Sequence, residues 1–492
     1  MATTAHESER AVHDSYVRRW WVLAVLGIAQ LMVVLDATVM NIALPDAQKA
    51  LGFSDVTRQW VVTGYTLAFG SLLLLGGRLS DMFGRRNTFI IGLVGFAVAS
   101  AVGGAAVNSE MLISARVAQG VFAALLAPAT LSLLTVTFTV PSERAKAVGI
   151  FGAISGAGAA IGLLLGGALT EWVSWRWALY INLVFAGVAL IGALALLARH
   201  VAVERPVLDL PGTITATAGL FSIVYGFSHA ESHGWSTATT IWWLIAGVVL
   251  LCAFCVVETR VPHPLLPLRI VLDRIRGGAY LAVFAIGIGL FSVLLFLTYY
   301  LQVSRGYSPI RTGVAFLPMV AAMVLSSTMT PPLLLPRLGT KTTVAGGLLV
   351  AATGMVSLTR VGLDTGYLSH VLSGELLLGL GIGAALSVAI QSATAGINHE
   401  DAGVASAMVN TSQQIGGSIG TALLSTFAAT TLNNYLADNG STPEVAAQAQ
   451  VESYITTFWW SAGFLAVGAI ILAVLMPNTL PTQPEGEPVI AH

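Results

Sequence analysis

Charge is what this chain has least of. Asp, Glu, Lys and Arg make up 10% of its residues, against about 25% in an ordinary soluble domain. Hydrophobic residues make up 55%, and the mean hydropathy is +0.80. A soluble enzyme with a single anchor is thereby excluded, and a polytopic membrane protein is indicated. Lysine stands only at Lys49, Lys146 and Lys341, and the net charge is −1, so no basic domain exists to bind nucleic acid. The two cysteines, Cys252 and Cys255, lie in an apolar stretch without further ligands. A redox or metal CxxC site needs a loop and partners. No Gly-x-x-x-x-Gly-Lys stretch occurs, which argues against an ATP site. His399-Glu400-Asp401 lacks the second histidine of a zinc-protease helix. An intramembrane enzyme or sensor has no nucleophile–base or metal constellation here to build on.

Long apolar runs are abundant. Roughly 20 apolar residues cross a bilayer as a helix, and about fourteen such spans can be marked, beginning with 20–44 and ending with 455–476. The fold expected is all-α and polytopic, with two six-helix pseudo-symmetric halves and two inserted central helices. Its divisions are a polar N-terminal segment 1–19, a six-helix bundle 20–200, two inserted spans in 201–260, a second bundle 261–476, and a Pro-rich, disordered tail 477–492. An even span number places both termini on one side. Arginine and lysine gather in one set of loops, among them Arg18, Arg19, Arg78, Arg85, Arg86, Arg144, Arg260, Arg337 and Lys341. The positive-inside rule makes that side, with both termini, cytoplasmic. The first apolar core is too long for a cleaved signal peptide and carries an acid, so it reads as an uncleaved span.

That acid is Asp36. It lies ~24 Å along the helix from Trp20, deep in the membrane. A charge there costs at least ~2.5–3.5 kcal/mol unless it faces a protein-lined or wet interior. Arg116, in the fourth span, falls at a similar depth, and each is the other's expected partner. Burial and an opposite charge act on a carboxylate in opposite directions. A site poised between them can take a proton in one conformation and lose it in another.

Other stretches stand out by spacing. Gly77-Arg78-Leu79-Ser80-Asp81-Met82-Phe83-Gly84-Arg85-Arg86 joins the second and third spans with two glycines and an acid among arginines. A simple turn with a positive-inside anchor would also account for this stretch. In the fifth span Gly158, Gly162 and Gly166 recur every four residues, with Gly167 beside them, giving a face for close helix contact. Tight static packing would explain that face as well as a seam where helix groups rock. An internal repeat is legible: Met82-Phe83-Gly84-Arg85-Arg86 is echoed by Arg337-Leu338-Gly339-Thr340-Lys341, with Pro336 where the first copy has Asp81. Parallel repeats about a central path are a transporter pattern. The second half adds Glu375, Asn410 and Gln413 within spans, and Tyr65 and Gln119 add polar groups in the first. A buried carboxylate such as Glu375 can bind a lipophilic cation or carry a second proton.

Leu35-Asp36-x-Thr38-x-x-Asn41-x-Ala43-Leu44-Pro45, Gly77-x-Leu79-x-Asp81-x-x-Gly84-Arg85-Arg86 and Leu112-x-x-x-Arg116-x-x-Gln119-Gly120 occur in this order. With Ser174-Trp175-Arg176-Trp177, Asn182 and Asp209-Leu210-Pro211-Gly212, they make the chain resemble the major facilitator superfamily, in its fourteen-span drug:proton antiporter branch. The resemblance runs from about Trp20 to Pro477. One departure is that the antiporter signature of the fifth span has a proline where Leu163 stands. The resemblance implies proton coupling by Asp36 and Arg116. It implies a cytoplasmic latch from Gly77, Asp81, Gly84, Arg85 and Arg86, and a seam from Gly158, Gly162, Gly166 and Gly167. Tyr65, Gln119, Glu375, Asn410 and Gln413 are candidates for the substrate path. The expected activity is export of hydrophobic drugs or antibiotics, cationic ones among them, by a monomer in the inner (plasma) membrane. The proton gradient supplies the energy and no cofactor is needed. The rival on the same fold is a proton-linked symporter for uptake of a small metabolite.

Overall fold

The computed structural model describes residues 2–138, 140–197, 209–262, 264–395 and 402–478. Among them the regular structure is helical, without strands. The elements in order are α1 (Ala2–Leu51), α2 (Asp55–Phe83), α3 (Arg85–Gly104), α4 (Ser109–Thr137), α5 (Pro141–Trp172), α6 (Trp177–Leu196), α7 (Leu210–His233), α8 (Ala238–Arg260) and the short α9 (Leu268–Val271). Then come α10 (Arg274–Tyr299), running into a π turn (Tyr300–Ser304), α11 (Pro309–Ala315), α12 (Leu317–Leu333), α13 (Leu335–Leu358), a second π turn (Tyr367–Val371), α14 (Leu372–Thr394), α15 (Ala402–Asn439) and α16 (Pro443–Leu475). Among the described residues thirteen helices are long and apolar enough to cross a membrane, and Ala157–Trp172 of α5 is a shorter apolar one. This is an all-α, multi-pass membrane protein.

The helices start where capping chemistry allows. Ser54 Oγ accepts from the Thr57 amide at 3.2 Å, and Asn108 Oδ1 accepts from the Met111 amide at 2.9 Å. Each satisfies a donor that the first helical turn leaves orphaned. The faces of α3, α6 and α8 that point away from their neighbours are apolar, with Val98, Val188, Ile191, Ile245 and Val248 more than half exposed. Such faces are stable only against hydrocarbon. The stretch 430–454 is almost entirely helix. Helix α15 continues to Asn439, Gly440 turns the chain at φ 86°, and Thr442 caps α16.

The chain divides into two compact units. One comprises Met1–Phe221 with Thr298–Leu317, the other Ser222–Leu297 with Pro318–His492. In the first, α2 packs on α4 so closely that a Cβ at Gly76 would run into the Ala124 carbonyl oxygen, and one at Gly120 into the Tyr65 carbonyl. The segment Thr298–Leu317 is fixed by polar contacts to α1 and α5. Tyr299 donates to Gln48 Oε1 at 2.7 Å, Gln302 to the Ile42 carbonyl at 3.0 Å, and the Ile310 amide to Glu171 Oε2 at 3.0 Å. In the second unit, Gly379 and Gly383 of α14 press on the Met319 and Met323 carbonyls of α12, while Gly416 and Gly420 of α15 meet Phe284 and Ile288 of α10. The two glycine pairs are small-residue packing of the kind membrane helices use.

The internal repeat has a geometric counterpart. Gly84 has φ 85° and ψ 133°, and Gly339 has φ 77° and ψ 169°. Both break a helix with a left-handed residue that favours glycine. A threonine four residues on meets each: the Thr88 amide donates to the Gly84 carbonyl at 3.0 Å, and Thr343 Oγ1 to the Gly339 carbonyl at 2.7 Å.

Candidate functional site: a buried charge network in the first unit

Asp36 of α1 is buried, 1% exposed, and so is Arg116 of α4, at 2%. Arg116 Nη1 forms an ion pair with Asp36 Oδ2. The same nitrogen donates to Gln119 Oε1 at 2.8 Å, and Arg116 Nε donates to the Val61 carbonyl of α2 at 3.1 Å. The guanidinium lies 4.4 Å from the centre of the Tyr65 ring, a cation–π arrangement that covers its face. The other carboxylate oxygen, Asp36 Oδ1, takes two amide donors, Gln119 Nε2 at 2.8 Å and Asn182 Nδ2 at 2.7 Å. Both amides also reach Ser100 Oγ, at 2.7 and 3.3 Å. Five helices, α1, α2, α3, α4 and α6, therefore contribute to one network around this carboxylate, α4 and α6 touching it directly.

Every part of this network suits an ionised Asp36. Each oxygen faces donors, and the pair together is neutral, which is how a charge survives away from water. Protonating Asp36 would weaken its hold on Arg116 and put a hydroxyl where a donor already points, so the network would have to rearrange. Asn182 Oδ1, Tyr65 Oη and Asn41 Oδ1 are among the buried polar atoms of the same unit that have no hydrogen-bond partner among the described residues.

The structure brings four of the expected residues together, Asp36, Arg116, Gln119 and Tyr65. Sequence reasoning missed Ser100, and it met Asn182 only inside a motif. A lone amide in the apolar α6 was a usable signal; a serine in a membrane helix was not. Gly158, Gly162 and Gly166 close on α1, where a Cβ would meet Leu31 at 3.0 Å, the Thr38 hydroxyl, and the Val39 Cα at 2.9 Å. Three of the four glycines proposed for the seam thus pack against α1, within the first unit. Gly167 instead faces Ile310 of α11, whose Cα a Cβ there would meet at 2.6 Å. In the loop after α2, Gly84 makes the break, and the Asp81 side chain lies outside the described residues. Arg86 Nε is buried without a hydrogen-bond partner among the described residues, and a Cβ at Gly77 would meet Pro128 only at 3.8 Å, an ordinary contact.

The remaining path candidates belong to the second unit and keep separate company. Glu375 is fully buried; its Oε2 accepts from the Tyr367 hydroxyl at 2.8 Å, and its Oε1 has no partner. Asn410 is exposed, and Gln413 is half-buried with its carbonyl against Gly287. Among the described residues no group of three His, Cys, Asp or Glu side chains could hold a metal.

A polytopic helical protein with a buried ion pair inside one bundle fits a membrane transporter, and sequence comparison agrees. Residues 26–421 match the Major Facilitator Superfamily, and the chain belongs to it. It is 50% identical over 464 residues to a puromycin resistance protein of Streptomyces alboniger, covering 94% of this chain and 92% of that one. It is 36% identical over 459 residues to a cephamycin export protein of Amycolatopsis lactamdurans, covering 93% and 92%. A tetracenomycin C resistance and export protein of Streptomyces glaucescens is 31% identical over 444 residues, covering 89% and 82%. The solved structure of the POT family transporter PepTSo superposes with a TM-score of 0.70 at 15% identity, covering 93% of this chain and 97% of that one. At that identity the likeness speaks for the fold alone.

Proposed function

We propose that this transporter exports hydrophobic antibiotics or drugs, cationic ones among them, in exchange for protons. The observation that carries the coupling is the Asp36–Arg116 pair, a titratable acid deep in a span with a complete set of donors. A proton arriving there changes the balance between a paired and an unpaired state, and that difference can drive one conformation over another. The drug leaves on the alternate stroke. The relatives named for resistance to or export of puromycin, cephamycin and tetracenomycin support the direction and the substrate class. The loop from Gly77 to Arg86, with Asp81, Gly84 and Arg85, acts in this reading as the latch of one state. In this reading the protein lies in the inner membrane as a monomer with both termini in the cytoplasm, and the arginine bias of the loops supports that side for the termini.

The test uses inverted membrane vesicles energised by a proton gradient, with puromycin and a fluorescent cationic dye as substrates. Export predicts that substrate enters the vesicles and protons leave on its addition, in wild type and not in Asp36→Asn. Proton release together with an added metabolite, and none with any drug, would replace antiport by uptake symport.

A further inference from the structure

One deeply buried acid takes no part in the network around Asp36. Glu375 of α14 is 0% exposed. Its Oε2 accepts from the Tyr367 hydroxyl at 2.8 Å, and its Oε1 is buried without a hydrogen-bond partner among the described residues. Glycines bring the neighbouring helices to backbone contact around it. A Cβ at Gly354 of α13 would meet the Gly374 carbonyl at 2.8 Å, and one at Gly379, a turn further along α14, the Met319 carbonyl of α12 at 2.2 Å. Within the second unit no cation compensates the acid. Helix α12 has no ionisable residue, and α14 has Glu375 alone. Arg337 and Lys341 stand at the far end of α13, and Arg360 and Asp364, beyond its near end, are exposed. On α15 Tyr435 and the exposed Asp438 lie in the last turns. The π turn before α14 adds Tyr367 and His370, whose Nδ1 lies 2.7 Å from Ser369 Oγ.

This setting is the reverse of the one around Asp36, which faces a guanidinium and two amides. An ionised Glu375 would leave one charged oxygen in the protein interior with neither donor nor counter-ion. A proton on Oε1 removes the charge and lets Oε2 keep the bond from Tyr367. The π turn Tyr367–Val371 that carries this tyrosine runs directly into α14, and such turns are rare and gather at functional sites.

We propose that Glu375 is a second proton site of the transporter, held as a neutral acid in this conformation and oriented by Tyr367. The inference rests on the proton exchange proposed above. The proton sits on Glu375 Oε1 while the site is closed, and passes to water when the helices part around it. Each cycle then carries one proton more per drug than Asp36 alone supplies.

Purified wild type and Glu375→Gln in proteoliposomes, with puromycin and the fluorescent cationic dye as substrates, test this. The substrate gradient reached against a fixed proton gradient gives the protons exchanged per drug. Glutamine keeps an acceptor for Tyr367, so the variant should retain the wild-type gel-filtration profile, still transport, and lose one proton per drug. Infrared difference spectra at neutral pH give a readout independent of transport. The band of a protonated carboxyl should persist in Asp36→Asn, vanish in Glu375→Gln, and move to higher frequency in Tyr367→Phe as its hydrogen bond is removed. An unchanged proton count in Glu375→Gln would overturn the second site and leave antiport standing. An unchanged count with loss of dye transport alone would make Glu375 a contact for cations instead. A spectrum in which Glu375→Gln removes no carboxyl band would overturn the neutral acid. Absence of drug-driven proton movement in wild type would sink the exchange reading itself, and the coupling role of Glu375 with it.

Discussion

Gln119 and Asn182 donate to the same oxygen of Asp36, at 2.8 and 2.7 Å, and are tied to each other through Ser100. They come from different helices, α4 and α6, so the orientation of one carboxylate depends on how those helices pack. Asn182→Leu removes one donor and leaves Ser100 with one amide. The expected loss is about 1–3 kcal/mol, read as a lower thermal midpoint in detergent, with drug-driven proton movement reduced more than drug binding. Wild-type coupling in this variant would mean that the second donor is dispensable.

Arg116→Lys keeps the charge and loses the fork. A lysine ammonium cannot serve Asp36, Gln119 and the Val61 carbonyl from two separated nitrogens as Arg116 does. Transport is expected to fall at least tenfold despite normal membrane insertion. Arg116→Leu removes the partner altogether and strands the acid, at about 3–5 kcal/mol. Asp36→Asn added to Arg116→Leu should restore thermal stability and leave transport absent.

Glycine substitutions should sort by what a Cβ meets. At Gly76 it meets the Ala124 backbone, which cannot step aside, so Gly76→Ala is expected to cut the folded yield severely. At Gly149 nothing lies within 4 Å, so Gly149→Ala should be neutral or add up to about 1 kcal/mol through helix propensity. Fluorescence-detected gel filtration of both variants, expressed side by side, checks the contrast.

The two left-handed glycines make a matched pair of tests. Gly84→Ala and Gly339→Ala each force a side chain into positive φ, costing about 1 kcal/mol or more. Gly339→Ala should cost the more, because its Cβ would also displace Asn478, which donates to the Leu338 carbonyl at 3.1 Å. Thermal midpoints of the two variants decide the order.

Much of this was legible in the sequence. Span number and order follow from hydropathy, because a bilayer demands apolar length and leaves few alternatives. Asp36 and Arg116 announced themselves because charge in a span is costly, and equal depth paired them. Gly84 and its echo Gly339 were visible as motifs, and the positive φ at both explains why glycine recurs there.

What the sequence by itself determined is the class of protein and the location of its rare charges, since solvation penalties act residue by residue. Only the tertiary structure decided the rest. It brought Ser100 and Asn182 to Asp36, turned Gly158, Gly162 and Gly166 onto α1, sealed Glu375 against Tyr367, and set His229 over His233 beside Thr240. Those outcomes depend on how helices rotate about their axes when they pack, and small residues permit several rotations. A hydropathy pattern is blind to which one is taken, because the lipid around the helices rewards them all equally.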